Sequence, residues 1–235
     1  MAVIGGPKKI PLNGLKYFMD PANKRSYPGS GTTVTDLGEF GFDGTFTGDT
    51  TFSSDNAGTF TFDGNGDGID LGNRNFAISS GATTEFTLIA WIYNTNTNSN
   101  AAYVDIGFTG GQMLLYTSSG HAKKIRFYVY NQSGTGIFNN LSNTVLDNNT
   151  WYQIGARWKA SNNTCEGIFD GSVTGVTFST SGMSSLNSSA AEQVTFASNW
   201  NDLNGRMGPV KYYNRYLSAD ELTSNWNSTR DRFGK

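Results

Sequence analysis

The chain has 235 residues, with 17 basic and 19 acidic side chains and a formal net charge of −2. Only 15% of residues are charged, against 14% aromatic and 29 glycines, which excludes coiled coils, helical solenoids and charged disordered chains. There is no basic footprint for nucleic acid, no apolar run near the ~20 residues of a membrane span, and no apolar stretch in Met1–Lys9 of the kind a secretory signal needs.

Residues 1–12 place Pro7 and Pro11 around Lys8 and Lys9. Proline removes backbone donors and favours extended conformations, so 1–12 is predicted to be an extended arm, unfolded until it meets a partner, ahead of a single domain over 13–235. Val3 and Ile4 would supply an apolar anchor, and Lys8 and Lys9 local positive charge. These four are the candidate partner-binding residues.

Strand signals then recur at short spacing. Thr59-Phe60-Thr61-Phe62 alternates polar and aromatic residues, as a strand with one buried face does. Phe86 to Tyr93 is more continuously apolar, the pattern of a central strand buried on both faces. Further strands are predicted at 103–106, 113–116, 125–130, 151–158, 165–169, 173–178, 194–197 and 208–213, with turn signals such as Asn131-Gln132-Ser133-Gly134 and Asp170-Gly171 between them. Ser218-Ala219-Asp220-Glu221 is a capping box, and Leu222 and Trp226 follow at i, i+4 on one helical face, so a helix over about 218–230 is expected to dock through them. The pattern as a whole predicts an all-β fold: an antiparallel two-sheet jelly-roll sandwich with one short C-terminal helix.

Several of these segments resemble a known family. Gly14 to Asn23, Ser26 to Thr33 and Asp36-Leu37 resemble the opening of laminin-G-like (concanavalin A-like) jelly-roll domains of tailed-phage structural proteins. Phe62-Asp63-Gly64 and Phe86 to Trp91 follow in the family's order, and Gly208 to Leu222 resembles its close. Gly38 to Gly44 departs from it, standing where relatives carry an amide-rich run. The resemblance implies a non-enzymatic virion protein (capsid decoration, neck or tail fibre), made in the host cytoplasm, with other virion proteins as partners. The alternative is a carbohydrate-binding adhesin that recognises a host-surface glycan.

Candidate sites are few. Asp63-Gly64-Asn65-Gly66-Asp67-Gly68 matches the first half of an EF-hand-like calcium loop, with oxygen ligands at alternate positions. Arg74 stands where a bidentate Glu would be required, so a calcium ion on Asp63, Asn65 and Asp67 would need a ligand from Asp36, Asp43 or Asp70. The preferred reading is a hairpin turn built on Asn, Asp and Gly. Glu85, Asp105, Glu166 and Asp170 show none of the alternate spacing that puts paired acids on one strand face, so each is read as a solvated strand-end charge and no catalytic residue is assigned. The single histidine, His121, falls in a turn, and the single cysteine, Cys165, precedes an apolar strand as a small buried hydrophobe. Trp91, Trp151, Trp158 and Trp226 are assigned to the core. Trp200, Asn201 and Asp202 lie in a polar loop and are the candidate carbohydrate contacts.

Overall fold

The computed structural model describes residues 9–77, 83–95, 100–107, 112–121, 123–187, 192–198 and 201–235. These residues form two eight-stranded antiparallel sheets. The strands are β1 (Leu15–Met19), β2 (Thr33–Val34), β3 (Gly44–Thr47), β4 (Thr51–Ser53), β5 (Thr59–Asp63), β6 (Gly68–Arg74), β7 (Glu85–Asn94) and β8 (Ala101–Ile106). They continue with β9 (Met113–Thr117), β10 (Lys124–Tyr130), β11 (Gly136–Val145), β12 (Thr150–Lys159), β13 (Thr164–Phe169), β14 (Ser172–Ser179), β15 (Glu192–Phe196) and β16 (Asn204–Tyr213). One sheet runs β14-β13-β12-β7-β16-β5-β4, with β1 also pairing to β16; the other runs β11-β10-β9-β8-β15-β6-β3-β2.

The expected two-sheet sandwich is therefore present. Strands β7 and β12 pair over their full length, from Glu85–Lys159 to Asn94–Thr150, at the centre of the first sheet. Proline is ordinarily barred from a central strand because it donates no ladder hydrogen bond. Pro209 is tolerated in β16 because the register against β7 shifts between Met207 and Val210. On the other side of β16 the partner changes there, from β5 up to Met207 to β1 from Val210 onward.

The main core lies between the sheets and includes Phe60, Leu88, Phe127, Trp158, Cys165, Phe196 and Tyr212. Two smaller clusters cover the outer face of the first sheet. One joins Leu15, Ile89, Ile168, Tyr213, Leu217 and Leu222. The other joins Trp91, Trp151 and Phe233, with Tyr93 and Trp226 packed against it. This second layer explains the continuous apolar run of β7: Leu88, Ala90 and Ile92 face the main core, whereas Ile89 and Trp91 face the outer clusters.

Helix α1 (Ala219–Asn227) opens on the predicted capping box, with both reciprocal hydrogen bonds formed. It ends earlier than expected, and a separate 3-10 turn at Arg230–Phe233 follows. Leu222 is buried, but Trp226 is only half-buried. This corrects the core assignment of Trp226. The indole stacks on Trp91 at 5.0 Å and 9° on the outside of the sheet, where one ring face is covered and the rest meets solvent. Gly171, at φ +80°, lies under it: a Cβ there would come within 2.4 Å of Trp226 Cβ. The predicted Asp170-Gly171 turn joins β13 and β14, with both residues at positive φ.

The segment 63–68 is not a hairpin. Strand β5 belongs to one sheet and β6 to the other, so the segment crosses between them. Its glycines still take positive φ, at Gly64 and Gly66, because the reversal is as tight as a hairpin turn.

Candidate functional site

The inter-sheet crossing organises one end of the sandwich. Asp67 is buried, and its carboxylate accepts from Asp49 N (2.5 Å) and Asp63 N (2.8 Å), tying two loops together. Asp63 Oδ1 accepts from Asn65 N at 2.8 Å. Asp202 reaches in from a loop far along the chain: its Oδ2 accepts from Gly66 N at 2.8 Å and its Oδ1 from Ser198 Oγ at 3.1 Å. Asp202, one of the residues predicted for carbohydrate, thus meets the loop that carries those predicted for calcium. Asn201 adjoins it, its carbonyl accepting from Ala102 N (2.8 Å) at the start of β8. Trp200 lies outside the described residues.

For calcium, the donor set is largely committed elsewhere. Both Asp67 oxygens hold backbone N–H groups. Asp36 accepts from Phe18 N, Gly38 N and Phe42 N, Asp43 accepts from Asp36 N, and Asp70 accepts from Gly72 N. Among the described residues no group of three or more His, Cys, Asp or Glu side chains could hold a metal ion.

Elsewhere, the outer face of the second sheet carries a feature absent from the sequence-based site. Ala102, Leu114 and Tyr116 form a cluster there, with Tyr128 packed against it. Tyr128 stacks on Phe138 at 5.0 Å and 11° and lies 4.9 Å from Tyr130. The Tyr128 ring is laid across β11 at Gly136, where a Cβ would come within 2.1 Å of its hydroxyl oxygen. Phe138 is 52% exposed. The Arg126 guanidinium sits 5.5 Å from both the Tyr116 and Phe138 ring centroids, a cation–π arrangement. Its Nη1 lies 2.6 Å from His121 Nδ1, while its Nε is buried without a hydrogen-bond partner. Burial raises the Tyr116 phenol above its ordinary range; the Arg126 charge opposes that rise and Tyr128 adds to it.

The alternation in Ile125 to Tyr130 held the signal for this face. Ile125, Phe127 and Val129 point into the core, so Arg126, Tyr128 and Tyr130 must point outward. Phe138 gave no comparable signal, because it stands in an asparagine-rich segment.

The other predicted positions fall as follows. His121 is exposed in a turn, as expected, and Cys165 is buried. Trp91, Trp151 and Trp158 are buried, Trp158 in the main core and the other two on the outer face. The four acids read as solvated strand-end charges are not so. Asp105 is fully buried. Glu166 pairs with Arg157 at 2.7 Å and accepts from the Tyr216 hydroxyl. Glu85 accepts from Tyr216 N and Asp170 from Gln153 N. Each is spent on structure, because strand ends in a sandwich meet neighbouring loops before they meet water. Val3, Ile4 and Lys8 lie outside the described residues. Lys9 is exposed, and Ile10 packs on the small cluster around Leu15.

No curated protein matches the sequence. Among solved structures, the receptor-binding domain of botulinum neurotoxin C/D mosaic serotype aligns at TM-score 0.69 and 12% identity, over 91% of this chain and 51% of that one. The binding domain of Paraclostridial Mosquitocidal Protein 1 aligns at 0.68 and 14%, over 92% and 52%. The botulinum neurotoxin serotype D ligand-binding domain, solved in complex with N-acetylneuraminic acid, aligns at 0.65 and 12%, over 91% and 50%. The chain spans about half the length of each of these, and at such identities the likeness is one of fold: a lectin-like sandwich. Residues 63–223 match the Laminin_G_3 family. That stretch is well over half of the chain, and the protein therefore belongs to the Concanavalin A-like lectin/glucanases superfamily.

Proposed function

We propose that this protein is a carbohydrate-binding module whose main site is the aromatic outer face of β9–β11, with the polar loops at 63–67 and 201–202 as a second contact for an extended oligosaccharide. The observation that carries the reading is the exposed aromatic surface of Phe138 and Tyr128, held flat by Gly136 and flanked by the Arg126 guanidinium. A sugar ring offers an apolar C–H face that stacks on such a surface, while its hydroxyls need fixed acceptors and donors at the edge. Asp63, Asn65, Asn201 and Asp202 are placed for the second task on further sugars of an oligosaccharide, since β6 and β11 stand five strand spacings apart in the sheet, about 24 Å. Their loops are pre-tied by the Asp67 and Asp202 hydrogen bonds, so little ordering entropy is lost on binding.

The family and its lectin-like neighbours support this reading better than the virion placement expected from the sequence. One such neighbour was solved with an acidic sugar, so the first experiment is an array of neutral and sialylated glycans probed with the full chain. Calorimetry on the best ligand follows, with Phe138→Ser as the variant. Phe138 is exposed, so the substitution leaves the fold intact. A loss of about tenfold in affinity is expected. Absence of any glycan ligand, or unchanged affinity in Phe138→Ser, would refute the assignment.

A further inference from the structure

The opposite side of the sandwich holds a cavity of about 370 Å³, formed where the arm residues Lys9, Ile10 and Leu12 pass the end of β1 and the C-terminal turn. Phe18, Asp20, Lys211, Thr229 and Arg232 complete its lining, with Ser228. Lys211 projects from the outer face of β16 and is only 1% exposed. Its Nζ donates to Asn225 Oδ1 at 2.7 Å, and the ammonium lies 5.5 Å from the Phe18 ring centroid. Asn225 is itself buried and oriented by donating Nδ2–H to the Tyr213 hydroxyl at 3.0 Å, so its carbonyl is fixed toward the lysine.

An ammonium carries three donors, and a buried charge is costly unless it is paired. Asp20 is the one carboxylate among the described lining residues, and it is already committed. It accepts from Arg232 Nη1 at 3.0 Å through both oxygens and from Ala22 N at 3.0 Å. Arg232 also donates from Nε to the Asn56 carbonyl and from Nη2 to the Gly58 carbonyl. With Asp20 and Arg232 cancelling, Lys211 faces the cavity with no ion pair among the described residues, and Lys9 adds a second positive charge at the rim. The remaining wall, Ile10, Leu12 and Phe18, is apolar, and Leu12 is 72% exposed.

We propose that this cavity binds a small amphipathic monocarboxylate, its anion on the Lys211 ammonium and its apolar body against Ile10, Leu12 and Phe18. The buried Lys211 ammonium takes one anionic head group, with the exposed Lys9 at the rim adding attraction for it, and the volume is that of a small-molecule site. The site is independent of the carbohydrate reading, since it lies on the other sheet.

Calorimetric titration of the full chain with octanoate at neutral pH tests the proposal, with octanol as the uncharged probe of similar shape. Saturable one-to-one binding of octanoate is expected, with octanol at least about tenfold weaker, because a charge-assisted hydrogen bond is lost. Lys211→Met should weaken octanoate by about tenfold. Leu12→Asp, at an exposed position that the fold does not depend on, should weaken it while leaving the melting temperature unchanged. Equal affinity for octanol and octanoate, wild-type affinity in both variants, or no saturable octanoate binding at millimolar concentration would each overturn the proposal.

Discussion

Replacing Lys211 with methionine measures what it costs this fold to bury a cation. Burial lowers the Lys211 ammonium from its ordinary 10.5 to about 8, the Asp20 charge opposing that fall and the Arg232 charge adding to it. A base whose folded pKa is lowered binds fewer protons folded than unfolded across the interval between the two values. Stability therefore rises with pH within that interval. Below about 8 both states carry the charge and the cost is constant; above 10.5 neither does. At about 1.4 kcal/mol per pH unit, the wild-type protein should gain about 3 kcal/mol on Lys211→Met across the interval. At neutral pH the substitution removes that cost, but it leaves Asn225 Oδ1 buried without its donor, worth about 1–3 kcal/mol. The two proteins should therefore be nearly equal in stability there. Urea unfolding followed by tryptophan fluorescence, from about pH 7 to about pH 10, gives the difference directly, and tyrosine titrations common to both proteins cancel. A difference that stays flat, or that moves against the wild type as pH rises, would refute the reasoning.

Four further outcomes are expected. Ser218→Ala breaks the capping box of α1 and should cost about 0.5–2 kcal/mol in chemical denaturation. Pairing with Arg215 holds Glu221 down to about 2, so its contribution is fully present above 4.5 and is lost as pH falls through about 2. Glu221→Gln should accordingly flatten the acid limb of the stability curve. Trp226→Ala removes the ring stacked on Trp91, and a loss of about 3 kcal/mol is expected; wild-type melting would show that the outer cluster contributes nothing. Gly136→Ala forces the Tyr128 ring off β11 and should abolish binding of whatever glycan the array identifies, with near-UV circular dichroism reporting the displaced ring.

Short-range chemistry was legible in the residues themselves. The capping box, the Asp170-Gly171 reversal, the turn at Asn131–Gly134 and the alternating strands each depend on neighbours within a few positions, and each formed as read. Strand β11 was not legible. Its sequence, Gly-Ile-Phe-Asn-Asn-Leu-Ser-Asn-Thr-Val, has its strand formers interrupted by Asn139, Asn140, Ser142 and Asn143, and it is extended because β10 supplies a ladder from Tyr130–Gly136 to Arg126–Asn140. The candidate sites follow the same division. Asp63, Asn65 and Asp67 stood out locally, but their meeting with Asp202 spans 136 positions. The burial of Lys211 is likewise set by Asn225 and by the arm, elements that no local pattern places beside β16. By itself, then, the sequence determined most of the strands, the local turns and the all-β class, because dihedral preference and side-chain period act over a few residues. Only the tertiary structure decided which acids were spent on backbone donors, which loops shared an end and which cation was left without a counterion, because those outcomes depend on what long-range strand pairing brings to within hydrogen-bonding distance.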